Sequence, residues 1–242
     1  MVAFLSQQLI LQAPSNKIIV VSDGFSNQEQ VESSNPDIVK ENLEPRHEEA
    51  NTRIILHCVR SRASSIVVAA RDTDVLVLLL AHFNKIPCSK VWTKYRISKN
   101  RKYIPIHTIA AQLDNSMLST LTAFHALTGS DNPSFLAGHT KKSDWNVFME
   151  HQNLLQLLGK GDICEKAVHD IDEFICRFYK CDVGTSIDRA CSILFGRAHA
   201  LEALPPRSDV LSFYINRAHY QASIWQQADM QYPMLPHLEM MG

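Results

Sequence analysis

Four acidic residues carry the chemistry this sequence could perform: Glu49, Asp72, Asp74 and Asp131. Asp72 and Asp74 form a D-x-D directly after the apolar run Ser65 to Ala70. Glu49 belongs to the pair Glu48-Glu49 at the start of a helical pattern, and Asp131 closes Gly129-Ser130-Asp131. Gathered carboxylates repel one another, and without a cation at least one would take up a proton. A hard divalent ion such as Mg²⁺ or Mn²⁺ removes the repulsion and accepts oxygen ligands. Two such ions about 4 Å apart activate a water and stabilise the leaving oxygen in phosphodiester hydrolysis. The same spacing also serves plain helix capping. Asp72 could N-cap the following helix, Asp74 could sit in its first turn, Glu48 and Glu49 could be ordinary first-turn acids, and Asp131 could be a turn residue. Spacing alone leaves both open.

The run Ser65 to Ala70 lacks polar alternation and is predicted to be a strand buried on both faces, as in a parallel sheet. In open α/β sheets ligands collect beyond the carboxyl ends of strands, which is where Asp72 and Asp74 fall. Upstream, Lys17 to Ser22 is a β-branched strand, followed by a polar surface loop to about Pro45. A helix then opens at Glu48, with Ala50, Ile54 and Cys58 on one face. Downstream, Val75 to Phe83 is an apolar helix, and Lys90 to Lys94 and Tyr103 to Ile106 are strands joined by the basic turn Arg96 to Lys102. From His107 the chain is almost wholly helical, with segments near 107–113, 116–127, 143–158, 163–180 and 186–200. Gly129 suits the C′ position of the second. Pro205-Pro206 breaks the pattern, and Ser208 can N-cap a last helix that carries Val210, Tyr214 and Ala218 on one face. This order predicts an α/β fold, a sheet flanked by helices with a mainly helical C-terminal half.

The densest basic cluster is Lys94, Arg96, Lys99, Arg101 and Lys102. With Trp92 it could grip a phosphate backbone and stack a base, although a solvated hairpin has the same composition. Lys141 and Lys142 follow Asp131 closely and extend the candidate nucleic-acid-binding set. A net charge of -1 excludes a generally basic binder, so any such contact must be local. The 6 cysteines form no C-x-x-C pair, which argues against a zinc ribbon or a thioredoxin motif. Several lie in apolar runs, as reduced thiols do, and the expected location is intracellular, nuclear or cytoplasmic, rather than secreted. The N-terminal apolar patch is too short and too polar for a signal peptide, and no stretch is long enough to span a bilayer. The 11 histidines show no zinc-ligand spacing, and His57, His82 and His125 are expected to be packing or surface residues. No Gly-rich phosphate loop and no nucleophile elbow is present.

In this order the acidic segments resemble those of flap-endonuclease-like nucleases of the PIN superfamily, which carry E-A-E on a helix, D-x-D after a buried strand and then G-x-D. The corresponding segments are Glu49-Ala50-Asn51, Asp72-Thr73-Asp74 and Gly129-Ser130-Asp131. A closer resemblance is to mobile-element-associated animal proteins with a divergent version of this domain. It rests on Glu48 to Arg53, Asp72 to Val75, His125 to Asp131, Leu204-Pro205-Pro206, and Arg217 to Gln221 with Trp225, and it covers roughly Lys17 to Pro233. The resemblance implies a PIN-like, mostly parallel sheet flanked by helices. It divides the chain into a poorly defined segment 1–16, a PIN-like domain 17–200, a helical extension 201–233 and a flexible tail 234–242. The family's first strand, with its own Asp, would lie before Lys17.

The resemblance further implies Glu49, Asp72 and Asp74 as catalytic residues. With Asp131 they would be ligands of Mg²⁺ or Mn²⁺, two ions in an active site. The implied partner is nucleic acid, DNA ahead of RNA, with no membrane. Asn51 stands where the family has an acid, offering an oxygen without charge, and Ser130 replaces a usual Cys. These departures imply an alternative: a catalytically inactive, mobile-element-derived module that binds nucleic acid or protein.

Overall fold

The computed structural model describes residues 1–44, 46–47, 49–97, 100–129, 141–182, 184–196 and 204–236. The chain opens with helix α1 (Val2–Leu11), where no helix is anticipated above, and a short antiparallel ladder of β1 (Val20–Val21) and β2 (Glu32–Ser33). Helix α2 (Ala50–Arg60) follows, then β3 (Ile66–Ala69), helix α3 (Thr73–Ala81), β4 (Val91–Ile97) and β5 (Asn100–Pro105). Helices α4 (Ile106–Ala110), α5 (Asn115–Leu127), α6 (Lys141–His151), α7 (Glu165–Phe178), α8 (Ile187–Phe195) and α9 (Ser208–Gln226) make up the rest. The α/β class and the helical C-terminal half therefore stand.

The main sheet is small and mixed. Its order is β3-β4-β5, with β3 parallel to β4 and β4 antiparallel to β5. The anticipated mostly parallel sheet is not what the described strands form. β3 also departs from its expectation of burial on both faces: Val68 is buried, Val67 is 52% exposed, and β3 forms one edge of the sheet. The strands β4 and β5 run further than anticipated, so most of the basic turn is ladder. Arg96 pairs with Arg101, and Tyr95 with Lys102.

The core lies between the sheet and the helices. Leu78 and Leu79 of α3, Ile106, and Leu127 of α5 are all fully buried. Phe124 stacks on Phe148 with centroids 4.6 Å apart, and Trp145 packs edge-on against Phe124. α9 lies along α5, burying Leu211, Ile215, Ala222 and Trp225. Gly159 (φ +86) permits a close approach here, since a Cβ would lie 2.8 Å from the Ala222 backbone. Its amide donates to His219 Nδ1. Ser208 begins α9 one residue later than an N-cap would, and its hydroxyl donates to Asp188. All six cysteines are free thiols, and burial pushes Cys58 and Cys176 up to about 12, which makes them inert packing groups. Among the described residues no helix is long and apolar enough to cross a membrane.

A charged cluster fixes the end of α9. Asp229 accepts from Lys85 Nζ at 2.8 Å and lies 3.4 Å from His82 Nδ1, while His82 Nε2 reaches the Trp225 carbonyl at 2.8 Å. Burial alone would raise the Asp229 carboxyl. The hydrogen bonds and charges of His82 and Lys85 outweigh it and hold the group far below the ordinary carboxylate range. An acid depressed by folding stabilises above its unfolded pKa and loses that contribution as pH falls through the folded one. Asp229→Asn is therefore expected to cost about 1.5 kcal/mol near neutral pH. The gap to the parent should narrow progressively below about pH 4. Urea unfolding across that range measures it. Leu78→Ala in the same experiment is expected to cost about 3 kcal/mol at every pH, as a cavity does.

Candidate functional site

Asp72 ends the chain's exit from β3 in extended conformation and caps α3, its Oδ1 accepting from the Asp74 amide at 2.9 Å. The plain capping role of Asp72 is thus observed. Asp74 sits in the first turn of α3, where the helix dipole favours an anion. Glu49 occupies the N-cap position of α2, but its side chain makes no capping bond. The two helix starts meet: Asn51 Nδ2 donates to Asp72 Oδ2 at 2.9 Å. Asn51, the departure from the acidic pattern, is the residue that joins them.

The remaining carboxylate oxygens are held by residues that sequence reasoning did not assign to the site. Glu49 Oε1 accepts from Gln221 Nε2 at 2.7 Å, and Oε2 from the Trp225 indole Nε1 at 2.9 Å. Asp74 Oδ1 lies 2.7 Å from His125 Nε2, and both residues are 5% exposed. Since an ionised carboxylate only accepts, this nitrogen carries the proton. The His125 ring stacks on Trp225, with centroids 5.3 Å apart. His125 was expected to be a packing or surface residue. Its membership in the segment ending at Asp131 was the available signal, as the i, i+4 spacing of Gln221 and Trp225 was on α9.

The loop before α2 is fixed by the segment after α9. Arg46 N donates to the Gln231 carbonyl, Gln231 Nε2 to the Glu44 carbonyl, and His47 Nε2 lies 2.5 Å from the Met230 carbonyl. Tyr214 donates to the Leu127 carbonyl at the end of α5, two residues before Gly129 at φ +82. Gly129 thus takes the left-handed C′ conformation anticipated for it. Asp131 lies outside the described residues.

Four of the basic candidates, Lys94, Arg96, Arg101 and Lys102, lie on the ribbon at the carboxyl end of β3. Ala69 pairs with Lys94, and β4 continues to Ile97 before β5 returns, so the ribbon projects past the carboxyl end of β3. Asp72 and Asp74 leave from that end. Lys94 is half-buried, and Lys102 is exposed. Arg96 and Arg101 are opposed in the ladder, and Lys99 lies outside the described residues. Trp92 packs edge-on against His107 at 5.0 Å, which commits it to the fold, whereas Tyr103, opposite Lys94, is 53% exposed. Lys141 begins α6 and Lys142 is exposed.

The donor set is chemically right for a hard divalent cation, being carboxylates with an amide. Its placement is a different matter. Among the described residues no three His, Cys, Asp or Glu side chains are arranged around one ion, and those of Glu49, Asp72 and Asp74 are each engaged by protein donors. Of the expected four-carboxylate metal centre, the three described members do not meet around one point, because Glu49 turns toward α9 and Asp74 toward α5. Compared with known proteins, the chain matches no family model, no curated protein and no solved structure.

Removing one member of a buried hydrogen-bonded pair leaves the other unsatisfied, whereas replacing both can be nearly neutral. His125→Leu alone is expected to cost about 3 kcal/mol in chemical denaturation. The double variant Asp74→Leu/His125→Leu should cost less than the single one. A double variant as unstable as the sum of its parts would show that the pair is not coupled.

Proposed function

We propose that the chain is a nuclease-like domain of the PIN, flap-endonuclease-like type that handles nucleic-acid phosphodiesters. The observation that carries this is placement. The D-x-D and the projecting basic ribbon both extend from the carboxyl end of the parallel β3-β4 pair, and the start of α2 with Glu49 is joined to Asp72 there. Ligands of open α/β sheets bind at this end. Lys94 and Tyr103, partners on one face of the ribbon, offer charge and an aromatic ring for a phosphate backbone and a base, and Lys102 adds charge on the other face. Glu49, Asp72, Asp74 and Asp131 are the residues that would hold Mg²⁺ or Mn²⁺ in the hydrolytic form of this proposal.

A specific observation favours the second form, a catalytically inactive module that keeps the fold and binds nucleic acid or protein. Glu49, Asp72 and Asp74 already have protein donors, and Asn51 supplies an amide where an acid would add charge.

One experiment separates the two. The purified chain is incubated with branched and single-stranded DNA and RNA in Mg²⁺ or Mn²⁺, beside an Asp72→Ala/Asp74→Ala variant. Cleavage by the parent alone supports hydrolysis. Salt-sensitive binding without cleavage supports the inactive module, and neither cleavage nor binding rejects every nucleic-acid role. In binding titrations Lys94→Ala and Lys102→Ala are each expected to flatten the salt dependence by about one unit of slope.

A further inference from the structure

The side of β3 away from β4 is open. Ile66 N donates to the Lys90 carbonyl of the segment entering β4. Peptide groups alternate in direction along a strand, so Ile66 and Val68 face β4 while the N–H and C=O of Val67 and Ala69 face outward. Among the described residues no strand pairs with that edge. A groove of about 950 Å³ is lined by Ile66 to Ala69 together with Ser22, Asp23 and, from α2, Arg53 and His57. Unpaired peptide groups at an edge are a template for another strand. The composition of β3 agrees: an Ile-Val-Val-Ala strand with no polar alternation is suited to cover on every side, yet Val67 stands 52% exposed.

The groove is lined by one cation, Arg53, and one anion, Asp23. Arg53 is anchored through its neutral contacts, donating to the carbonyls of His47 and Ser22. Among the described residues no acid lies within ion-pair distance of it. Its positive field is felt nearby: burial first, and then Arg53, hold both His47 and His57 below the ordinary histidine value. Asp23 lies on the rim, with its Oδ1 taken by the Gly24 amide.

We propose that the groove beside β3 is a strand-acceptor site. Its occupant is an extended polypeptide segment of a partner protein, apolar at alternate positions, that pairs with the Val67 and Ala69 peptide groups and places a carboxylate near Arg53. Main-chain pairing supplies the affinity in this mode, and the side-chain pockets supply the selection. This goes beyond nucleic-acid handling and does not depend on it.

The test uses the full chain, isotope-labelled for amide NMR. The probe is an N-acetylated, C-amidated octapeptide of alternating valine and serine with one aspartate. At about 1 mM peptide the Val67 and Ala69 amides are expected to exchange roughly tenfold more slowly. The same peptide with asparagine in place of aspartate should bind about threefold more weakly. Val67→Pro removes a groove-facing donor without breaking the β3-β4 ladder, since proline is tolerated on edge strands, and should abolish the protection at Ala69. Unchanged exchange at Val67 and Ala69 in the parent chain overturns the proposal whatever the variant does. Equal binding of the two peptides overturns the assignment of Arg53 as the charge partner.

Discussion

The indole of Trp225 is the joint on which the arrangement depends. It is 1% exposed, and its N–H must find an acceptor once it is taken out of water. The acceptor is Glu49, at the start of a helix 176 residues earlier in the chain. Its ring face is covered by His125, whose Nε2 is bound to Asp74. One buried side chain thus relates the starts of α2 and α3, the last turns of α5 and the end of α9. Its own carbonyl is taken by His82, which leads on to Asp229 and Lys85. Polar networks of this kind stabilise only when every member is satisfied, so each residue in it constrains the others.

That dependence explains why the acidic residues gather at one end of the sheet. A β3-α3-β4 unit places the start of α3 at the carboxyl end of β3 by connectivity alone. α2 reaches the same end only because Asn51 donates to Asp72 and because α9 holds Glu49 from the far side. The ribbon β4-β5 reaches it because β4 outruns β3 by three residues, from Arg96's neighbour Tyr95 to Ile97. Positive and negative groups therefore extend from one end of the sheet while their anchors are spread over most of the chain.

Local signals carried much of this. The apolar run Ile66 to Ala69, the cap at Asp72 and the left-handed glycine after α5 follow from residue type and near neighbours, and each is found where residue type places it. Helical periodicity located α2, α3, α5, α7 and α9 to within a few residues. What periodicity could not carry was the third dimension. His125 and Trp225 occupy positions on apolar helices where packing is the ordinary role, and only their meeting across 100 residues turns them into donors to a carboxylate network. The sheet was misjudged for a related reason: an apolar strand signals that cover is suited to it, not which element provides that cover. Helix α1 escaped notice because Val2 to Leu11 has little amphipathic contrast, and its apolar residues Phe4, Leu9 and Leu11 remain exposed.

The same carboxylates cannot serve two masters equally. A carboxylate oxygen has two lone pairs, so Glu49 could accept one hydrogen bond on each oxygen and still meet a cation. Asp74 is more constrained, being 5% exposed with its Oδ1 already bound to His125 Nε2. Asp72 differs from both, since it is exposed and its two partners are a backbone amide and the neutral Asn51. An acid in place of Asn51 would set two negative charges against each other at that point and require a cation to join the helices. With the amide, the helix starts are joined by a hydrogen bond instead. Asn51, whose amide brings no charge to a cation, is therefore the residue that lets this end of the fold hold together through a hydrogen bond.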